Sequence, residues 1–490
     1  MNFELSTLNS NLKLLLHYSP FISQTIPSSC GPMQWNHCFS GDRFGAENLR
    51  SEQRTEYERD WDRIVFSSAF RRLQNKTQVF PLPEEVFVHN RLTHSLEVAS
   101  VGRSLGSMLG EKLASLPELS GDSEARNFYR EHLKSVISSA CLAHDLGNPA
   151  FGHSGEKAIS RYFTDRQGDK AFTGLFSENE WADLISFEGN ANALRILTRA
   201  FKGRMPGGFR LTYSTLAALV KYPCESQAGN IKNGPVNRKK YGFFQSEIPV
   251  FQSVAEKLHI PESHSDKGLS YQRHPFVFLV EAADDICYNI IDLEDAHRLR
   301  IFSTEFVTDL LLRIIQLNEN EDLNKIKDTL LRLSEDANEA VSYLRAKAIN
   351  YFTNRCASIF WENREAIISG RMDTGLMARL HEAQPVLKEL ESVSVKKIYN
   401  YPSVVKIELA GFRIMSGLLE DFIPAALKPA GQRQKNEEKL VELIHSQYRF
   451  EEGQSPYEKV MCILDYVSGM TDLYALKLYR NLRGIEIPMI

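Results

Sequence analysis

Cysteine is sparse and unpaired in this chain. Seven cysteines are scattered through 490 residues, at Cys30, Cys38, Cys141, Cys224, Cys287, Cys356 and Cys462, and no two stand at CxxC spacing. An odd, dispersed set argues against a disulfide framework and for a reducing compartment, the cytoplasm. An excess of one charge is also missing. A formal net charge of −4, from 58 basic and 62 acidic residues, excludes a surface that is basic throughout for nucleic acid, and leaves only a local basic groove open. No apolar run approaches the roughly 20 residues that cross a bilayer. Period-two alternation is scarce, which excludes a mainly β chain. There is no internal repeat and no low-complexity spacer.

What is present is an ordinary globular balance, 43% hydrophobic and 24% charged, with helical spacing throughout. Leu92, Leu96, Ala99, Leu105, Leu109, Leu113 and Leu116 keep one face of a long helix. Val136 to Ala143 is apolar and expected to be buried. Pro275 is expected at the N1 position of a helix running to Asp295. Helical periodicity also marks residues 303–318, 324–350, 375–392 and 457–482. The class is therefore all-α, with one candidate short β-hairpin, Thr77–Phe80 with Val86–Val88. Residues 1–32 hold Lys13 as their only Lys or Arg and lack a basic n-region before the short Leu14–Leu16 run. They read as a disordered extension or as lying ahead of the natural start at Met33, not as a signal peptide. A motif-bearing core over 33–300 and a helical part over 301–490, completing the pocket and the subunit contacts, make up the rest.

The chemistry concentrates in Ala143-His144-Asp145-Leu146-Gly147-Asn148-Pro149-Ala150-Phe151-Gly152-His153-Ser154-Gly155-Glu156. An apolar helix delivers a His-Asp dipeptide and then breaks at Gly147 and Pro149. Neighbours on a helix point about 100° apart, yet both reach an ion seated at the helix edge. Imidazole plus carboxylate suits a borderline or hard divalent cation. Two ligands bind weakly, so other helices must contribute. His94, in Asn90-Arg91-Leu92-Thr93-His94-Ser95, is one candidate. Asp284, Tyr288 and Asp292 fall at i, i+4 and i+8 on one helix face, and a carboxylate inside an apolar helix needs a partner such as a metal.

These stretches, together with Phe70–Phe80, Phe187-Glu188-Gly189-Asn190-Ala191, Lys221-Tyr222-Pro223, Tyr241–Phe244 and Ser468-Gly469-Met470-Thr471-Asp472, resemble the bacterial deoxyguanosine triphosphate triphosphohydrolases, dNTPases of the HD superfamily. The similarity runs from Met33 onward. It implies an HD-domain helical core with additional C-terminal helices. It implies metal ligands His94, His144, Asp145 and Asp284, holding one divalent ion per subunit: Mn²⁺ or Mg²⁺ first, Fe²⁺ among others. It implies that His153 and Glu156 act beside the metal, that Arg91 and Lys221, with Tyr222 next to it, hold phosphates, and that Gln78, Tyr288 and Asp292 touch the deoxyribose. The implied reaction is attack of metal-activated water on the α-phosphorus of a dNTP, releasing deoxynucleoside and whole tripolyphosphate. A dNTP activator and a homo-oligomer, often a hexamer, are further implications. Two positions depart from the family pattern: Asn192, where Gln is common, puts a base or ribose contact there in doubt, and Ala150 replaces a common Pro.

Each residue has a plainer reading. His153 and Glu156 also suit a helix start. Arg91 also suits a pair with Glu97 or Asp60, and Asp284 a buried salt bridge. Lys232, Arg238, Lys239 and Lys240, beside Tyr241, Phe243 and Phe244, suit either a solvated loop or single-stranded DNA. Two other functions stand beside the first. One is an HD phosphohydrolase acting on nucleoside monophosphates or signalling nucleotides. The other is a single-stranded nucleic-acid-binding regulatory protein with a residual metal site.

Overall fold

The computed structural model describes residues 31–46, 54–80, 88–201, 206–232 and 234–487. The N-terminal extension read from the sequence therefore lies, apart from its last two residues, outside the described residues. The chain is built of helices, and no strand occurs among the described residues. There are only isolated bridges, one of them joining Thr77 to Asn90. Of the candidate hairpin, Val86 and Phe87 lie outside the described residues, and Thr77 pairs beyond the expected partner arm.

The helix Arg91–Ala114 starts where Asn90 makes a capping box: its side chain accepts from the Thr93 amide, and Thr93 Oγ1 accepts from the Asn90 amide. Such a box satisfies two orphan donors of the first turn. It fixes the start one residue before Arg91 and so places His94 on the first turn. Leu105, Leu109 and Leu113 are fully buried, each contributing roughly 1.5–3 kcal/mol by leaving water. Leu96, expected on this buried face, is instead 42% exposed, because the helix carries a second, open side near its N-terminus. The helix packs along Leu133–Ala143, whose residues from Val136 to Ala143 are all buried. The helix Val277–Arg298 crosses both and is backed by Ala337–Glu362. Its N-cap is Phe276, so Pro275 lies in the preceding turn and not at N1.

Two hydrophobic clusters organise residues 32–490, which form one unit. The first holds the helices just described. The second gathers Ala150, Ile159, Phe163, Phe187, Phe244, Met415, Phe422 and Val467. Leu146 belongs to the first and Ala150 to the second, so the loop after His144-Asp145 crosses between them. The C-terminal helix Pro402–Leu427 packs on His153–Thr164 and on the helices Pro456–Ser468 and Asp472–Leu482. The periodicity over 324–350 resolves into two helices, Leu323–Arg332 and Ala337–Glu362, and that over 457–482 breaks at Gly469.

Candidate metal and hydrolytic site

Three chain segments bring their candidate ligands together. His94 Nε2 lies 3.2 Å from Asp284 Oδ1, and His144 Nε2 lies 3.5 Å from that oxygen and 3.6 Å from Asp145 Oδ1. His94, His144 and Asp284 form a cluster able to hold a metal. Donors about 2.1 Å from a common ion stand roughly 3.0–3.4 Å apart at octahedral or tetrahedral angles, close to these separations. Second contacts orient the ligands. His144 Nδ1 donates to the Cys141 carbonyl at 2.6 Å, which fixes the tautomer and turns the Nε2 lone pair toward the carboxylates. That Nε2 is buried and has no hydrogen-bond partner. An orphaned imidazole nitrogen facing two acids is what a divalent cation would satisfy, so the residues present fit the metal. Burial opposes charge at Asp284, but His144 and His94 hold its pKa well below the usual carboxylate range. Burial likewise opposes charge on His144, yet before any cation binds Asp145 and Asp284 push it up to about 9, so a bound ion would take the place of a proton on Nε2. Asp285, next to Asp284 in the chain, takes no part in the cluster.

The cluster opens on a cavity of about 470 Å³, within the usual range for a small-molecule site. Gln78, Arg91, His94, His144, Asp145, His153, Glu156, Lys221, Tyr222, Asp284 and Tyr288 all line it. Asp292 does not. It is buried behind Tyr288, where the Tyr399 hydroxyl donates to its Oδ2 at 3.1 Å and also meets the Tyr288 hydroxyl. Burial, with Asp295 nearby, pushes Asp292 up to about 8.

His153 Nδ1 donates to Glu156 Oε2 at 2.6 Å, and Glu156 Oε1 accepts the Gly189 amide at 2.9 Å. Burial works against charge on Glu156, but the His153 ring, Lys240 and that amide hold its pKa down. Both cations assigned to phosphate already have acidic partners. Arg91 donates to Asp145 Oδ2 at 2.7 Å, not to Glu97 or Asp60. Lys221 Nζ lies 3.3 Å from Glu281 Oε1, whose other oxygen accepts from Arg273 at 2.6 Å. Burial lowers the Lys221 pKa, but Glu281 outweighs it and the net shift is upward. Gly152 is required here twice over: its φ is +54°, and a Cβ would come within 2.7 Å of the Arg91 guanidinium.

A model of the HD domain matches residues 91–188, and one of a phosphohydrolase-associated domain matches residues 380–481. A deoxyguanosinetriphosphate triphosphohydrolase-like protein of Synechocystis is 39% identical over 462 residues, which is 93% of this chain and all of that protein. The chain belongs to the deoxyguanosinetriphosphate triphosphohydrolase family of HD-domain phosphohydrolases. A like-named protein of Pseudomonas aeruginosa is 35% identical over 93% of this chain and all of its own length. A deoxyguanosinetriphosphate triphosphohydrolase of Yersinia enterocolitica is 31% identical over 88% of this chain and 94% of its own. In this HD-domain phosphohydrolase the matched HD segment contains His94, His144 and Asp145, while Asp284 comes from outside it.

The structure adds residues to which the sequence gave no site role. Asn148 donates to Asp145 Oδ1 and lines the cavity, as do Glu281 and Tyr399. Lys240, read from the sequence as part of a basic loop, reaches the cavity wall and pairs with Glu188 at 3.0 Å. Arg238 of the same loop is buried against the carbonyls of Ala228 and His264, leaving Lys232 and Lys239 exposed. Asn192, where a substrate contact was in doubt, stands off the cavity and donates to the Gly147 carbonyl at 2.7 Å and to Ser468 Oγ. Asn148 carried a sequence signal in its place inside the HD loop, and Glu188 in its place inside the motif at 187–191, whereas Tyr399 carried none.

Proposed function

We propose that this HD-domain phosphohydrolase splits deoxynucleoside triphosphates into deoxynucleoside and tripolyphosphate. One observation carries the reading: the cluster of His94, His144 and Asp284, with Asp145 beside it, shares a single cavity with the His153–Glu156 pair and with Arg91 and Lys221. The names of the relatives make dGTP the first substrate to test. The four ligands would hold one divalent ion, Mn²⁺ or Mg²⁺ first and Fe²⁺ next. When bound, it lowers the pKa of a coordinated water and offsets phosphate charge.

The protein's own residues do the rest. Arg91 and Lys221 bind the triphosphate by exchanging their carboxylate partners for phosphate oxygens, where guanidinium contacts are bidentate. Gln78, whose Oε1 is buried without a partner, and the hydroxyls of Tyr288 and Tyr399, the latter held from behind by Asp292, supply polar groups for the sugar. Glu156 accepts from Nδ1 of His153 and leaves Nε2 as the nitrogen that protonates the leaving oxygen. Water adds to the α-phosphorus, the bond to the 5′-oxygen breaks, and the proton from Nε2 goes to that oxygen. The proton shed by the attacking water balances it.

Purified protein should be incubated with each dNTP, singly and in mixtures that reveal an activator, with Mg²⁺ or Mn²⁺. Tripolyphosphate and deoxynucleoside are expected. Pyrophosphate and deoxynucleoside monophosphate would remove the reading. Turnover confined to nucleoside monophosphates or signalling nucleotides would favour a different HD phosphohydrolase. Inactivity joined to salt-dependent single-stranded DNA binding would favour a regulatory protein. A cytoplasmic homo-oligomer, a hexamer by resemblance, belongs to the same proposal, and light scattering tests its size.

A further inference from the structure

We propose that Asp472 is a positioning residue of the hydrolytic site, a single buried carboxylate that ties the segment carrying Gln78 to the turn carrying His153. The inference rests on the role given to His153 above. Asp472 is 4% exposed, and its two oxygens accept from two remote backbone amides. Oδ2 takes the Thr77 amide at 2.9 Å, and Oδ1 takes the Phe151 amide at 2.9 Å. Thr77 immediately precedes Gln78, and Phe151 stands two residues before His153.

The turn so held is strained. Phe151 has φ +61° and Gly152 has φ +54°, two successive residues in the left-handed region. A residue with a side chain adopts this conformation only at a cost, and it persists only where the surroundings over-determine it. Three contacts do so. Asp472 holds the Phe151 amide. The Gly152 amide donates to the Pro149 carbonyl at 3.1 Å. The Phe151 ring lies against Gly411, where a Cβ would overlap it. Lys76 braces the same loop by donating to the Asn148 carbonyl at 2.6 Å and the Ser468 carbonyl at 3.0 Å.

A carboxylate in the first turn of a helix has a plain explanation in the helix dipole. That explanation accounts neither for the burial of Asp472 nor for two acceptor contacts outside its own helix. Thr471 already caps that helix by accepting the Tyr474 amide. The helix Asp472–Leu482 thus ties the two segments together through one side chain. His153 owes its place at the cavity to it.

The test is Asp472→Asn in the full chain. Asn keeps the shape but loses one acceptor, so one of the two amides is left without a partner. We expect hydrogen exchange to speed up at the Thr77 and Phe151–Gly152 amides while peptides of the Arg91–Ala114 helix stay protected. We expect kcat for dNTP hydrolysis to fall about tenfold or more, with KM and bound Mn²⁺ within about twofold of the parent. Exchange needs no turnover, so a parent that releases no tripolyphosphate would fail the proposed reaction while leaving this inference open to its own readout. Unchanged local exchange, or loosening spread evenly over the chain with loss of Mn²⁺, would overturn it. If the Asn variant does not fold, Asp472→Glu, which moves both acceptors by one methylene, carries the same expectation and the same refutation.

Discussion

Replacing Asp183 by Asn should stabilise the protein, and more at pH 8 than at pH 5. Asp183 is 1% exposed. Its Oδ2 accepts from the Tyr457 hydroxyl at 2.6 Å and the Gln245 amide at 2.7 Å, while Oδ1 has no partner. Burial pushes its pKa from 3.8 up to about 7, and Glu247 adds to the rise. The folded state thus holds the proton more tightly than the unfolded chain. Stability is complete below the unfolded value, declines as pH rises between the two values, and levels off above the folded one. Each pH unit between them is worth ~1.36 kcal/mol. The penalty is up to about 4 kcal/mol at pH 8 and up to about 2 kcal/mol at pH 5. Asn removes it at both. Its Oδ1 keeps the Tyr457 and Gln245 contacts, and its Nδ2 takes the orphaned position beside Ser226, whose Oγ also lacks a partner. Urea midpoints followed by tryptophan fluorescence should rise in the variant, by about 2 kcal/mol more at pH 8 than at pH 5. An equal or larger gain at pH 5 would refute the reasoning. Hydrolysis should be unchanged, since Asp183 does not line the cavity.

His144→Ala should strip the divalent ion, read by metal analysis, and abolish turnover, whereas the exposed Lys239→Ala should leave single-dNTP turnover within about twofold. Chelation should silence the parent enzyme and Mn²⁺ should restore it. Tyr399→Phe leaves Asp292 Oδ2 without the Tyr399 hydroxyl, and KM should rise about tenfold with little change in kcat. Gly152→Ala puts a Cβ against Arg91 at a positive φ. Steady-state kinetics should show kcat/KM down at least tenfold with the ion retained.

The candidate cluster was partly legible, because His144 sits in a dense motif and His94 and Asp284 on helices with readable phase. Asp284 shows this: its spacing to Tyr288 and Asp292 fixes the face of Val277–Arg298. Phase gives a side, however, not a depth. Asp292 shares the face but lies a layer behind the cavity, under Tyr399. Tyr399 itself follows an irregular turn and meets Tyr288 across more than a hundred residues, a closeness with no local signal. The Arg91–Asp145 pair is of the same kind: each residue was singled out, but their mutual contact depends on two helices packing. The helix Pro402–Leu427 has no single apolar stripe to mark it in the sequence, because its apolar residues spread over most of its circumference. Leu96 shows the opposite case, an apolar residue in phase with the buried face yet 42% exposed.

The resting ion pairs of Arg91 with Asp145 and Lys221 with Glu281 set a threshold at the mouth of the reaction. An incoming anion meets cations that are already neutralised, so it must compete with two fixed acids. A singly phosphorylated metabolite recovers little from that exchange. On the proposed function, three linked phosphates would engage both cations and the metal ion together, each new contact easing the next. Chain length of the polyanion then becomes a selection criterion in its own right, applied before any base or sugar is inspected.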